Sequence, residues 1–218
     1  MKILSIFGSL LLTSNIFSQS HNHESVSSWY RITGNHQINE QFSVSSGAEL
    51  WYYEHNSNFH NLMLSAGIKY LPHDQHVLAV AYMHATIDNN LQEEDNPNIR
   101  EHRILEQYTL KHEIGQLRVA HRHRMEHRFF YNERNSTNHR YRYQISGTYP
   151  IYKTISAIAA EEVLVSLSGN KLIENRFFAG LGLRISNHYN LKIGYIKNHI
   201  KHTSFDRFLV NLNINTGV

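Results

Sequence analysis

The chain has 218 residues, no cysteine and a formal charge of +3. That length suits one domain or one barrel, and the lack of cysteine excludes a disulfide framework, a thiolate zinc site and a cysteine nucleophile. The excess of positive charge is too small for a nucleic-acid binder, which concentrates more in one patch.

In chain order, Met1-Lys2 is followed by ILSIFGSLLLTSNIF and then Ser18, Gln19 and Ser20. One positive charge, a short apolar run and a small residue predict a cleaved signal peptide over residues 1–18, leaving 19–218 as the mature domain. The apolar run is too short for a transmembrane helix. Mean hydropathy is −0.46. A transmembrane β-barrel has such a value too, because half of each strand faces an aqueous lumen.

From residue 28 onward, strands are predicted at 28–38, 41–53, 59–71, 76–87, 99–113, 116–130, 138–149, 154–165, 175–186, 189–200 and 205–215. Most exceed the roughly five or six residues of a soluble strand and match the nine to eleven or so of a tilted membrane strand. Short connections (Asn39-Glu40, Pro72–Gln75, Gly115, Pro150–Lys153, Asn187-His188) alternate with longer polar ones (Glu54–Asn58, Asp88–Asn98, Tyr131–Thr137, Ser166–Glu174). That alternation is a habit of outer-membrane barrels. Pro72, Pro97 and Pro150 fall in connections or at strand ends, as a sheet demands. Trp29-Tyr30, Trp51-Tyr52-Tyr53 and Phe129-Phe130-Tyr131 cluster at strand ends like an interfacial girdle. Eleven segments conflict with the even strand number of bacterial single-chain barrels. The expected architecture is therefore an all-β, antiparallel transmembrane barrel of ten or twelve strands. Either 28–38 is not a full strand, or one segment holds two.

Side chains alternate across a strand. In HRHRMEHRFF, residues 121–130, Arg122, Arg124, Glu126 and Arg128 share one face, while His121, His123, Met125, His127 and Phe129 share the other. If the apolar faces meet lipid, the charged faces meet the lumen. The expected lumen network is Glu49, Arg103, Lys111, Glu113, Arg118, Arg122, Arg124, Glu126, Arg128, Arg140, Arg142, Glu162, Arg176 and Arg184, with Gln107 and Gln144 among them. Cations outnumber carboxylates, and two readings follow. Arg–Glu pairs between neighbouring strands fill a narrow barrel, or surplus cations line a pore or pocket for anions.

EHRILEQ (101–107), HRHRMEHRF (121–129), HRYRYQI (139–145), EEVLV (161–165), ENRFFAGLGLRIS (174–186) and IGYIKN (193–198) resemble the recurring motifs of an uncharacterised bacterial outer-membrane barrel family. It is catalogued as domain of unknown function 2490 and is frequent in Bacteroidetes. The resemblance runs from Trp29 to the last strand. It implies an outer-membrane β-barrel and carries over no activity.

Three other constellations are weaker. His121, His123 and His127 share a face and carry imidazoles suited to zinc, copper or nickel, but that face is the one expected to meet lipid. Cleavage after Ser18 would leave Gln19-Ser20-His21, a copper- or nickel-binding pattern that cyclisation of the glutamine would remove. The acidic stretch 88–98 lacks calcium-loop spacing. No metal and no cofactor are expected. His202-Thr203-Ser204 and His23-Glu24-Ser25 carry the letters of a hydrolase without an identifiable third group. The leading expectation is a small pore or binding barrel with an Arg-rich lumen, meeting membrane lipid, lipopolysaccharide and small anionic solutes. The alternatives are an outer-membrane lipid hydrolase and a structural envelope protein.

Overall fold

The computed structural model describes residues 21–22, 26–54, 57–88, 98–131, 135–168, 171–200 and 203–217. The twelve strands are β1 (His21–Asn22), β2 (Ser27–Gln37), β3 (Phe42–Glu54), β4 (Ser57–His73), β5 (His76–Ile87), β6 (Ile99–Ile114), β7 (Leu117–Tyr131), β8 (Ser136–Tyr152), β9 (Ile155–Ser166), β10 (Lys171–Arg184), β11 (Tyr189–Ile200) and β12 (Thr203–Gly217). Strands β2 to β12 form an up-and-down meander in which each strand pairs antiparallel with the next.

The meander closes on itself. Strand β12 pairs with β2 in parallel, residue 207 opposite residue 27 through 217 opposite 37. The barrel therefore has eleven strands, which corrects the expectation of ten or twelve. In an odd meander the first and last strands run the same way, so only a parallel ladder can join them. Such a ladder is slightly weaker per residue than an antiparallel one, and this one extends over the whole of β2. Two-residue β1 pairs with Thr203 and Ser204 and prolongs the same seam toward the rim of the longer loops. The eleven segments read from the sequence correspond one to one to β2–β12.

The rims differ. On one, short turns join the strands. The tightest is Gly115-Gln116, where Gly115 takes φ 61°, the positive value required at the first position of a tight hairpin turn. On the other rim the ladders run further than expected: Glu54 pairs with Ser57, and Lys171 with Ser166. Both places carry an irregularity, at Trp51/Tyr52 and at Leu172/Glu174. Pro72 and Pro150 lie inside β4 and β8 rather than in connections, but at the two bulges of the short-turn rim, where the missing N–H is tolerated.

Alternation sorts the residues in an unusual direction. Ile32, Val44, Leu64, Ile68, Val80 and Ile104 point outward and are exposed, Ile68 at 58% and Val80 at 59%. Glu101 and Glu126, on the inner face, are 0% exposed. The interior also holds an apolar cluster contributed by nearly every strand, including Trp29, Trp51, Met63, Met83, Leu105, Phe178, Ile196 and Leu209. Gly180 and Gly194 are cross-strand partners on the inner face beneath Phe178. A Cβ on Gly180 would lie 2.2 Å from the Ile193 carbonyl oxygen, so this close approach needs glycine.

The seam can be tested directly. Thr33 and Asn213 are register partners across it, and Thr33 Oγ1 lies 2.5 Å from Asn213 Oδ1. Adjacent strands run about 4.8 Å apart, inside the disulfide window of about 4.4–6.8 Å between Cα atoms. In this cysteine-free chain, the pair Thr33→Cys and Asn213→Cys should oxidise to one intramolecular disulfide, visible as a non-reducing gel shift. A ten-stranded barrel that left β2 out would keep the two thiols apart.

Candidate functional site

The inner faces of β6–β10 carry the charged residues that the alternation assigns to them. Glu126 sits among four guanidiniums. Arg142 Nη1 donates to its Oε1 at 2.8 Å, Arg140 pairs with its Oε2, and Arg103 and Arg124 approach to 3.7 and 3.9 Å. Glu162 takes Arg122 at 2.5 Å and Arg142 through both of its carboxylate oxygens, with Arg176 at 3.7 Å. Glu101 takes two-pronged bonds from both Arg103 and Arg128, and Glu174 pairs with Arg176. Across the lumen Glu49 accepts from Arg31 at 2.9 Å and from the Trp29 indole at 3.0 Å.

Arg142 joins Glu126 to Glu162, so one connected network spans the wall. Taking a guanidinium out of water costs several kcal/mol unless its N–H fork is filled. Here every carboxylate of the wall serves at least one fork, and Glu126 serves up to four, so the acids are the scarce component.

Of the expected residues, Glu49, Arg103, Arg122, Arg124, Glu126, Arg128, Arg140, Arg142, Glu162 and Arg176 come together in the interior. Lys111 lines the lumen away from the network. Glu113 and Arg118 lie at the short-turn end as exposed register partners, and exposed Arg184 donates to the Lys153 carbonyl oxygen at 2.9 Å. These three stand outside the network, because the ladder ends there and their side chains reach bulk water. Glu101 and Glu174 went unnoticed, although each stands two residues before an arginine of the same face, in EHR and ENR. Arg31, Lys69, Lys192 and Arg207 were also missed. Single cations at inward positions make no pattern.

A cavity of about 810 Å³ runs along the lumen beside the network. Twelve cations line it (Arg31, Lys69, Arg103, Lys111, Arg122, Arg124, Arg128, Arg140, Arg142, Arg176, Lys192 and Arg207) against three carboxylates, Glu49, Glu162 and Glu174. Toward the short turns its wall is polar and small, with Thr33, Asn35, Ser43, Ser45, Ser65, Asn213 and Asn215. Among the described residues no carboxylate lies within 4.0 Å of Lys69, Lys192 or Arg207. Lys69 donates to Asn35 at 2.9 Å, Lys192 lies 4.0 Å over the Phe178 ring and Arg207 lies 4.9 Å over Trp51. Arg124 gives two of its bonds to Gln107, at 2.9 and 2.6 Å. Several buried donors have no partner, among them Arg31 Nε, Arg122 Nε, Arg207 Nε and Trp51 Nε1. Each such group costs about 1–3 kcal/mol.

On the outer face His121 bonds Tyr143 at 2.8 Å, His123 bonds Tyr141 at 2.6 Å and His127 bonds His139 at 2.8 Å. The three imidazoles thus take separate partners and do not converge on one point. Near the loop-side ends, Lys197 pairs with Asp206 at 2.8 Å, Tyr195 also bonds Asp206, and Asn175 bonds Glu161. Residues 1–20, the 23–25 stretch, residues 89–97 and His202 lie outside the described residues, and with them the expected signal peptide, most of the N-terminal metal pattern, most of the acidic loop, one hydrolase pattern and the histidine of the other.

A family model described as a protein of unknown function (DUF2490) matches residues 26–209. No curated protein and no solved structure matches the chain.

The scarcity of acid makes Glu126 the sensitive position. Glu126→Gln should lower the unfolding free energy by about 3–5 kcal/mol, the cost of leaving buried charge uncompensated. Glu113→Gln at the rim should change it by less than about 0.5 kcal/mol. Urea unfolding of the refolded proteins, followed by tryptophan fluorescence, measures both.

Proposed function

The chain belongs to the DUF2490 family of proteins of unknown function, and from that premise we propose that it is an outer-membrane β-barrel whose lumen accepts small anionic solutes. One observation carries this reading: aliphatic side chains cover the outside while the charges are buried inside. In water that arrangement would expose the wrong surface. In a bilayer it satisfies both faces.

Further features support it. The barrel strands have 11 to 17 residues, enough to cross a hydrocarbon core at a tilt. A closed barrel leaves no unpaired edge in lipid. The unequal rims and the N-terminal signal pattern agree with export to the outer membrane. Solute preference follows from the lining. Arginine and lysine rings favour anions in pores, and a cationic cavity within low-dielectric walls focuses its field on them. The Arg–Glu network narrows the lumen on the β6–β10 side, and the cavity beside it is where solutes enter.

Planar-bilayer recording of the refolded full chain under a salt gradient tests the proposal. Steady conductance with a reversal potential of the sign for anion preference is expected. Lys69, Lys111 and Lys192 can be changed together to Gln without touching any ion pair of the network, and this variant should lose much of that preference. Folded, inserted protein that carries no current and takes up no anion into liposomes would mean that the network fills the barrel.

A further inference from the structure

The two tryptophans of the chain stand side by side in the lumen, Trp29 and Trp51, with ring centroids 4.2 Å apart. Two arginines lie over Trp51, Arg176 at 5.6 Å and Arg207 at 4.9 Å. The two indoles look equivalent, as do the two guanidiniums, and they are not. Trp29 donates its N–H to Glu49, and Arg176 pairs with Glu174. Trp51 Nε1 and Arg207 Nε are buried donors that bond to nothing. Arg207 is 4% exposed and has no carboxylate within 4.0 Å among the described residues. Trp51 and Arg207 both line the cavity.

We infer that Arg207 and Trp51 form a binding site for one oxyanion, the phosphate or carboxylate group of a small solute. A guanidinium stacked on an indole keeps its N–H edge free, and that edge matches two oxygens of such a group. The indole N–H is a second donor beside it. A water molecule could satisfy one N–H, but it would bring no negative charge to the guanidinium, and Glu174, which acts on Arg207 from beyond 4.0 Å, is already paired with Arg176. The irregularity at Trp51/Tyr52 serves the site: it turns His60 inward, where the imidazole stacks 4.1 Å from Tyr53 and meets Trp51 edge-on at 5.6 Å. The site rests on the reading of the lumen as anion-accepting and gives that reading a location.

Because Trp51 belongs to the site and Trp29, the other tryptophan of the chain, stands beside it, intrinsic fluorescence of the folded full chain in detergent micelles reports on it. The probes are inorganic phosphate and, separately, citrate, with sodium chloride at matched ionic strength as the reference. A saturable spectral change with phosphate or citrate, and none with chloride, is expected; the more effective probe tells phosphate from carboxylate. Arg207→Gln should weaken binding at least tenfold, while Arg184→Gln, at the exposed short-turn rim, leaves it unchanged. Arg207→Lys, which keeps the charge but loses the fork, should bind more weakly than wild type and serves if the glutamine variant does not fold. A folded wild type without saturable response overturns the site, as does an Arg207→Gln or Arg207→Lys variant that binds like wild type. Binding without conductance would remove the transport reading and leave the site standing. Anion-selective conductance without a fluorescence response would do the reverse.

Discussion

The structure depends on keeping guanidinium groups charged inside a barrel only eleven strands wide. Most of these side chains are buried against the wall, so each guanidinium needs an acid, an aromatic face or an amide as its partner. Glu126 and Glu162 are shared among arginines from β6, β7, β8 and β10. This sharing ties neighbouring strands at fixed register, since a slip of one residue would turn every charge of that strand outward. Apolar residues on the inner face then pack against the remaining wall, and the outside is left for aliphatic side chains.

Closure follows a less usual route. A parallel seam lets an odd meander become a barrel, and hydrogen bonds along all of β2 hold it. Trp29 and Arg31 project inward from β2, and Arg207 projects inward from β12 on the other side of the seam. The group of indoles and arginines therefore straddles the place where the two ends of the chain meet. A barrel without this seam would not bring Arg207 over Trp51.

The two halves of the lumen divide their work by chemistry. On the β6–β10 wall, carboxylates neutralise arginines and the network is mechanically useful. Elsewhere, Lys69, Lys192 and Arg207 are held by an amide or an aromatic ring, which leaves their charge uncancelled. Cation–π contact stabilises a guanidinium without consuming its positive field. The surplus charge is thus built into the cavity and does not arise from faulty pairing.

Much of this was legible in the chain itself. Period-two alternation located all eleven barrel strands and turned the arginine faces inward, because a pleated strand allows no other arrangement. The same alternation puts Glu101 with Arg103 and Glu174 with Arg176 on one face, yet the expected network did not include these two carboxylates. The strand number was not legible. The evenness rule assumes antiparallel closure, and which way the ends meet is a property of the closed sheet. Equally hidden were the roles of Arg31, Lys192 and Arg207, whose partners lie on other strands or across the seam. A sequence determines which face each residue takes; the shear and closure of the barrel decide which faces look at one another, and that left Arg207 and Trp51 buried together without an acid.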